Sequence, residues 1–399
     1  MDVEEPGGDS VHVCIVTGKL FQPRDGVGDY AWHLARALSR EHRVSLVGQL
    51  GGEHRSGNDG PRVFPVAEGW GAAGRRHLVC IVRDLRPDVL NVQYTPFLYH
   101  RWGLNLGLPL LLLRLRMQGL PIVTMVHEPF VPLRTWKWWI LGPIQRALLA
   151  LWISASRRVL VSIWAWTEML RRTYRWRAGD IRWLAVGSNL DPVTVSAEER
   201  RHTREEGGLP PNGVVLVMLN PLGTGKQFEL VSRVWKRLAS RQEEVGLLIV
   251  GVGREEALRR FPAAPDGDRT AYTGFVPDEV ASRLLGCSDV ALAPYVDGLS
   301  TRRSSTISMM AHGLPIVSTR GELTDPEVFD DFPVSLVSPD DETGFERAIE
   351  ELIHSPEKRA EVAEHTRRFF QRHFAWEVLA KQFLEVAAEA CGSASPRPE

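Results

Sequence analysis

Hydrophobic and polar positions along the chain keep two alternating rhythms. Mainly apolar runs at residues 11–16, 44–47, 89–93, 122–126 and 159–162 alternate with stretches of helical spacing, such as Trp32, Leu34, Ala35 and Leu38. Short apolar runs of this kind suit strands buried on both faces, and their alternation with helices predicts a parallel sheet covered on each side. The rhythm stops at the polar segment 196–213, whose Gly207-Gly208 and Pro210-Pro211 read as a linker. It then restarts, with strands expected at 214–219, 246–251, 271–272, 289–292, 315–318 and 334–337, and with a helical tail over 343–353, 357–370 and 376–390. The expectation is an α/β chain of two doubly wound, Rossmann-like domains, 1–195 and 214–375, followed by a last helix at 376–391.

Composition narrows the partners. With 48 basic and 49 acidic side chains in 399 residues, no global field draws the chain to nucleic acid, so attraction to an anion has to be local. Cys14, Cys80, Cys287 and Cys391 are far apart and show neither metal-ligand spacing nor a disulfide pattern, which suits a reducing, cytoplasmic setting. The acidic start, Met1 to Pro6, lacks the basic and apolar regions of a signal peptide. The longest apolar run, 104–113, falls short of the roughly 20 residues that a bilayer span needs. Thirteen tryptophans are many, however. The segment 130–153, with Trp136, Trp138 and Trp139 beside Arg134 and Lys137, reads equally as an aromatic lid on its own domain or as a peripheral contact with the inner face of a membrane.

Candidate chemistry gathers where strands end. The polar stretch Asp297 to Thr306 follows the run Asp289 to Pro294 and leads into a short helix stopped by Gly313 and Pro315. Free N–H groups and the positive dipole end of that helix, with Arg302 and Arg303 beside it, make an anion, most simply a phosphate, the natural occupant. A solvated turn is the bland alternative. Asn220 to Gln227 likewise joins a strand to a helix and carries Lys226, a second cation for a diphosphate. A magnesium nucleotidase loop would need glycine at 220 and Ser or Thr at 227, where Asn220 and Gln227 stand, so that reading is disfavoured. Gly26-Val27-Gly28 after the first strand admits a ligand close to the backbone or serves a plain turn. His127-Glu128 ends another strand, and His127 is a candidate to contact a substrate hydroxyl or accept its proton.

These residues, together with Val186 to Asp191, Gly274-Phe275-Val276-Pro277, Ala311 to Val317 and Phe374-Ala375-Trp376, resemble the retaining glycosyltransferases of the GT-B fold, family four. The resemblance runs over nearly the whole chain. It implies two Rossmann-like domains facing across a cleft, and transfer of a sugar from a nucleotide diphosphate sugar to an acceptor hydroxyl, with no cofactor and no metal. It implies that Gly26 and Gly28 approach the donor, that His127 contacts the sugar, and that Lys226 neutralises the leaving diphosphate. Phe275 and Val276 would meet the base, and Asp297, Gly298, Leu299, Ser300, Thr301, Arg302, Arg303 and Ser304 would grip sugar and phosphates. Tyr94, Glu128 and Trp136 are expected on the side of an unidentified acceptor, which is a small molecule, a glycan or a lipid-linked sugar. Two departures stand out. The second of two acidic positions usual in the family falls on Ser308, with Asp297 taking the first, and the basic residue after the first strand of the second domain is absent, a charge that Arg302 or Arg303 is expected to supply. A binding protein that has lost turnover is the rival reading.

Overall fold

A computed structural model describes residues 10–22, 25–52, 60–66, 69–131, 136–332 and 336–392, with the side chains of 136–138 and 140 outside that description. The chain divides into two compact units, 1–186 with 376–399, and 187–375.

The first unit is built on seven parallel strands: β1 (His12–Leu20), β2 (Arg43–Leu50), β3 (Arg62–Pro65), β4 (Val89–Tyr94), β5 (Ile122–Val126), β6 (Arg158–Val161) and β7 (Ile181–Trp183). They lie in the order β3-β2-β1-β4-β5-β6-β7. β1 pairs with β2 on one side, Ile15 opposite Leu46, and with β4 on the other, Ile15 opposite Asn91, so the winding reverses between β1 and β4. Helices α1 (Gly26–Leu38), α2 (Ala72–Leu85), α3 (Gly107–Met117), α4 (Trp136–Ala155) and α5 (Trp164–Thr173) join the strands. Apolar side chains of β1, β4, β5 and β6, such as Val16, Val92, Val126 and Val161, form a continuous core with Leu112, Leu149 and Trp152. β3 and β7 escape the sequence reading for one reason: they are the sheet's edges, and an edge strand tolerates the Arg62, Pro65 and Arg182 that interrupt an apolar run.

The helix Trp376–Cys391 returns to this unit. Its first ring stacks on His33 at 5.5 Å and lies 5.4 Å from Tyr30, both on α1. Near its end Glu389 accepts from Arg158 Nε at 2.9 Å.

The second unit carries five parallel strands, β8 (Val214–Leu219), β9 (Val245–Val250), β10 (Thr270–Tyr272), β11 (Val290–Ala293) and β12 (Ile316–Ser318), in the order β10-β9-β8-β11-β12. Its winding reverses between β8 and β11. The helices are α6 (Ala197–Glu206), α7 (Phe228–Arg241), α8 (Arg254–Arg260), α9 (Asp278–Gly286), α10 (Ser304–Ala311), α11 (Pro326–Phe329), α12 (Glu342–His354) and α13 (Pro356–His373). The segment 196–213, expected as a linker, is part of this unit. Ser196 and Glu199 form a capping box that starts α6, and Arg204, 3% exposed, donates to Asp289 at 2.6 Å and to the Cys287 carbonyl at 2.8 Å. A buried arginine held by a carboxylate and carbonyls anchors the helix more firmly than the surrounding glycines and prolines loosen it. The boundary therefore falls at Gly187 rather than at 195. Residues 334 and 335 of the strand expected at 334–337 lie outside the described residues, though Val337 bridges Thr319.

Candidate functional site

Because all five strands of the second unit are parallel, the segments leaving their carboxyl ends share one edge. The two that matter leave β8 and β11, where the winding reverses and a crevice opens. They are pinned to each other by backbone bonds: Gln227 N–H to Pro294 O at 3.0 Å, Val296 N–H to Gly225 O at 2.9 Å, and a bridge between Lys226 and Tyr295. Gly298 is held at φ +87°, and a Cβ there would stand 2.2 Å from Gly321 N, so only glycine fits.

Three cations and one carboxylate result from this pinning. Arg303 Nη1 donates to Thr224 O at 2.7 Å, its Nη2 pairs with Asp297 Oδ1, and its guanidinium lies 4.2 Å from the Tyr295 ring centre. Arg302 approaches the other Asp297 oxygen at 3.6 Å. Lys226 donates to Leu219 O with its ammonium 5.7 Å from the same Tyr295 ring. Burial lowers the Lys226 pKa, Tyr295 opposes that shift and Arg303 adds to it. Burial would raise the Tyr295 phenol, but the two cations outweigh it and bring it below its ordinary value. The Nε atom of Arg303 is buried without a hydrogen-bond partner. With one carboxylate against three cations, the cluster keeps a net positive charge that suits a diphosphate. A cavity of about 300 Å³ lies under α6, lined by Thr203, Leu248, Tyr272 and Leu284. The Arg204 beside it is already paired with Asp289, so charge rather than volume marks the site.

In the first unit, His127 follows β5 and is 8% exposed. Its N–H donates to Tyr94 O at 3.0 Å and its carbonyl accepts from Ser162 Oγ at 3.0 Å. Its Nε2 lies 2.8 Å from Gln93 Oε1, and the Tyr30 ring meets it edge-on at 4.8 Å. Burial lowers its pKa from 6.5 to about 3. Burial disfavours its charged form, which favours hydrogen bonding over proton uptake. The shift also has a consequence for stability. Between 6.5 and about 3 the unfolded chain binds the proton and the folded one does not, so this site makes folding less favourable as pH falls. The slope is at most ~1.4 kcal/mol per pH unit. His127→Asn is expected to flatten the acid limb of urea-unfolding free energy against pH, and parallel limbs would contradict the assignment.

Two family profiles match the chain, Glycosyltransferase Family 4 over residues 24–191 and Glycosyl transferases group 1 over residues 213–355. The chain belongs to glycosyltransferase family four. Its two parallel sheets are those of the GT-B fold. Among solved structures, a glycosyltransferase from Rickettsia africae ESF-5 is similar at TM-score 0.69 and 13% identity, over 97% of this chain and 100% of that one. The Anabaena protein HepE, solved with UDP-glucose, is similar at 0.67 and 15%, over 96% and 100%. WaaG, a glycosyltransferase involved in lipopolysaccharide biosynthesis, is similar at 0.63 and 13%, over 95% and 100%. No curated protein sequence matches.

Set against the family resemblance, the glycosyltransferase distributes its expected site residues unevenly. Asp297, Gly298, Arg302, Arg303 and Ser304 lie with Lys226 at the carboxyl edge. Leu299, Ser300 and Thr301 are fully buried, and Thr301 is held by two 2.8 Å bonds to Asp325. Ser308 is also buried, and its hydroxyl accepts from Ser188 Oγ at 3.0 Å and Asn189 N–H at 3.1 Å, so it fastens the segment 188–189. Phe275 is exposed and Val276 half-buried, beside the Gly251–Gly274 turn contacts at the ends of β9 and β10. Gln227, the misfit of the nucleotidase pattern, turns its amide to Pro339 O at 3.1 Å.

In the first unit Gly26 is exposed, whereas Gly28 is buried where a Cβ would stand 2.7 Å from Lys19 O, so packing within the chain requires that glycine. Asp25 caps α1 by accepting from Val27 and Gly28 N–H at 3.2 and 3.3 Å, a cap the sequence reading missed. Tyr94 is not a surface contact but a core residue, 5% exposed and 5.1 Å from the Trp152 ring, since it sits on a central strand. Glu128 is exposed. Trp136 opens α4, with its side chain outside the described residues. Tyr295 and Gln93 were also missed. Gln93, at least, left a signal: Asn91 and Gln93 are two polar residues on one face of an otherwise apolar strand.

Proposed function

We propose that the protein transfers a sugar from a nucleoside diphosphate sugar to an acceptor hydroxyl, with retention of anomeric configuration and without a metal. The single observation that carries this reading is the convergence of Lys226, Arg302, Arg303 and Asp297 on the edge between β8 and β11. In the proposed reaction the bond from the anomeric carbon to the diphosphate oxygen breaks while the acceptor oxygen bonds to that carbon from the same face. The acceptor's proton passes to the departing phosphate oxygen, which fits a His127 too weakly basic to take it. Lys226 and the two arginines stabilise the charge that develops on the diphosphate. Asp297, held between the arginines, is placed to accept hydrogen bonds from sugar hydroxyls. Uridine is the first base to try, because the similar HepE was solved with UDP-glucose.

No described helix is long and apolar enough to cross a membrane. Peripheral contact is a separate part of the proposal, supported by exposed Trp102, Leu106, Leu110, Trp139 and Ile144, with the Arg101 guanidinium 5.6 Å over the Trp102 ring. One experiment addresses both parts. The protein is incubated with UDP-glucose and a panel of other UDP-sugars, with and without phosphatidylglycerol vesicles, and released UDP and co-sedimented protein are measured. Slow UDP release and sedimentation with the anionic vesicles are expected. UDP binding with no release from any sugar would support the second reading, a binding protein without turnover, which the diversion of Ser308 to Ser188 and Asn189 favours. Failure to sediment would remove the membrane contact alone.

A further inference from the structure

Behind His127 lies a short buried file of amides. Asn91 Nδ2 donates to Val123 O at 3.1 Å, Gln93 Nε2 donates to Asn91 Oδ1, and Gln93 Oε1 stands 2.8 Å from His127 Nε2. Asn91 and Gln93 are fully buried on β4, and Val123 is on the neighbouring strand β5. The direction of the file is set at its far end. A backbone carbonyl can only accept, so Asn91 must present its NH₂ to Val123 and its oxygen to Gln93. Gln93 must then spend its NH₂ on Asn91, and only its oxygen is left for the histidine. An amide oxygen cannot donate, so His127 Nε2 carries the proton.

We propose that Gln93, oriented by Asn91, is a positioning residue that commits His127 to the Nε2–H tautomer and so leaves Nδ1 as a lone-pair acceptor for a substrate hydroxyl. The ring has little freedom to choose otherwise. Tyr30 meets it at 78° from the α1 side, and the backbone N–H and carbonyl of His127 are both tied down. Rotating the ring to offer Nδ1 to Gln93 would abandon a buried amide oxygen during the movement, which is costly where water cannot substitute. The part of the inference that concerns a substrate rests on the proposed transferase reading; the tautomer does not.

The test separates the two. In protein labelled with ¹⁵N-histidine, long-range ¹⁵N–¹H correlation spectra report which ring nitrogen of His127 carries the proton, with His127→Asn used for assignment. The wild type is expected to show a protonated Nε2 and an unprotonated Nδ1, unchanged from pH 8 to pH 5.5. A protonated Nδ1 in the wild type would overturn the proposal without any variant having to fold. Gln93→Met, which removes the acceptor but keeps the volume, is expected to mix the tautomers. An unmixed Nε2–H signal in Gln93→Met would likewise overturn it. For UDP release from UDP-glucose, Gln93→Met is expected to lower kcat by roughly 10- to 100-fold with little change in KM. A mixed tautomer with unchanged kcat would uphold the positioning of the ring and remove His127 from the proposed reaction.

Discussion

Arg303→Ala is expected to weaken the binding of UDP by about 10- to 100-fold, measured by titration calorimetry. Hydrogen bonds to charged groups contribute roughly 1.5–3 kcal/mol each, and about 1.4 kcal/mol corresponds to a factor of ten. Two losses combine at this residue. The diphosphate loses a guanidinium that is 8% exposed and already oriented by Thr224 O and the Tyr295 ring, and Asp297 loses its close partner. The carboxylate would then face the incoming anion with only Arg302, 3.6 Å away, to screen it. Arg303→Lys keeps the charge but not the fork or the stacking, so it is expected to fall between the two. Unchanged affinity in both variants would mean that the arginine merely braces the loop.

Lys226→Met is expected to lower the rate more than the affinity for the intact donor, whose diphosphate carries less charge than that of free UDP. Its ammonium has three donors, of which the Leu219 carbonyl takes one, and negative charge on the diphosphate grows as the glycosidic bond breaks. An interaction that strengthens toward the transition state lowers kcat when it is removed, and the expected loss is about 10²–10³-fold. UDP release from UDP-glucose under saturating donor checks this. A rise in KM at constant kcat would place the lysine in ground-state binding only.

Much of this architecture was readable from the chain because buried parallel strands have to be apolar. Val214–Leu219 and Ile122–Val126 stand where the pattern puts them, and the arginines and lysine at the ends of neighbouring strands converge because all parallel strands deliver their ends to one edge. What stayed hidden depended on contacts distant in sequence. Nothing local in 196–213 announces that Arg204 will find Asp289 across 85 positions and turn a polar stretch into an anchored helix. Ser308 looked like the remnant of a ligand-binding position until its hydroxyl was seen holding Ser188 and Asn189. His127 could be placed at a strand end from sequence, but its loss of basicity follows from burial among residues distant in sequence, Tyr30 and Gln93 among them.

The central claim is that Lys226 and Arg303, resting on one tyrosine ring, act on the same diphosphate. A double-mutant cycle on UDP affinity, with Lys226→Met, Arg303→Ala and the pair, tests it most directly. Coupling of about 1 kcal/mol or more between the two substitutions is the predicted result, since groups that share a ligand and a neighbour are not independent. Losses that add to within about 0.3 kcal/mol would contradict it, because sites that do not share a partner behave in that way.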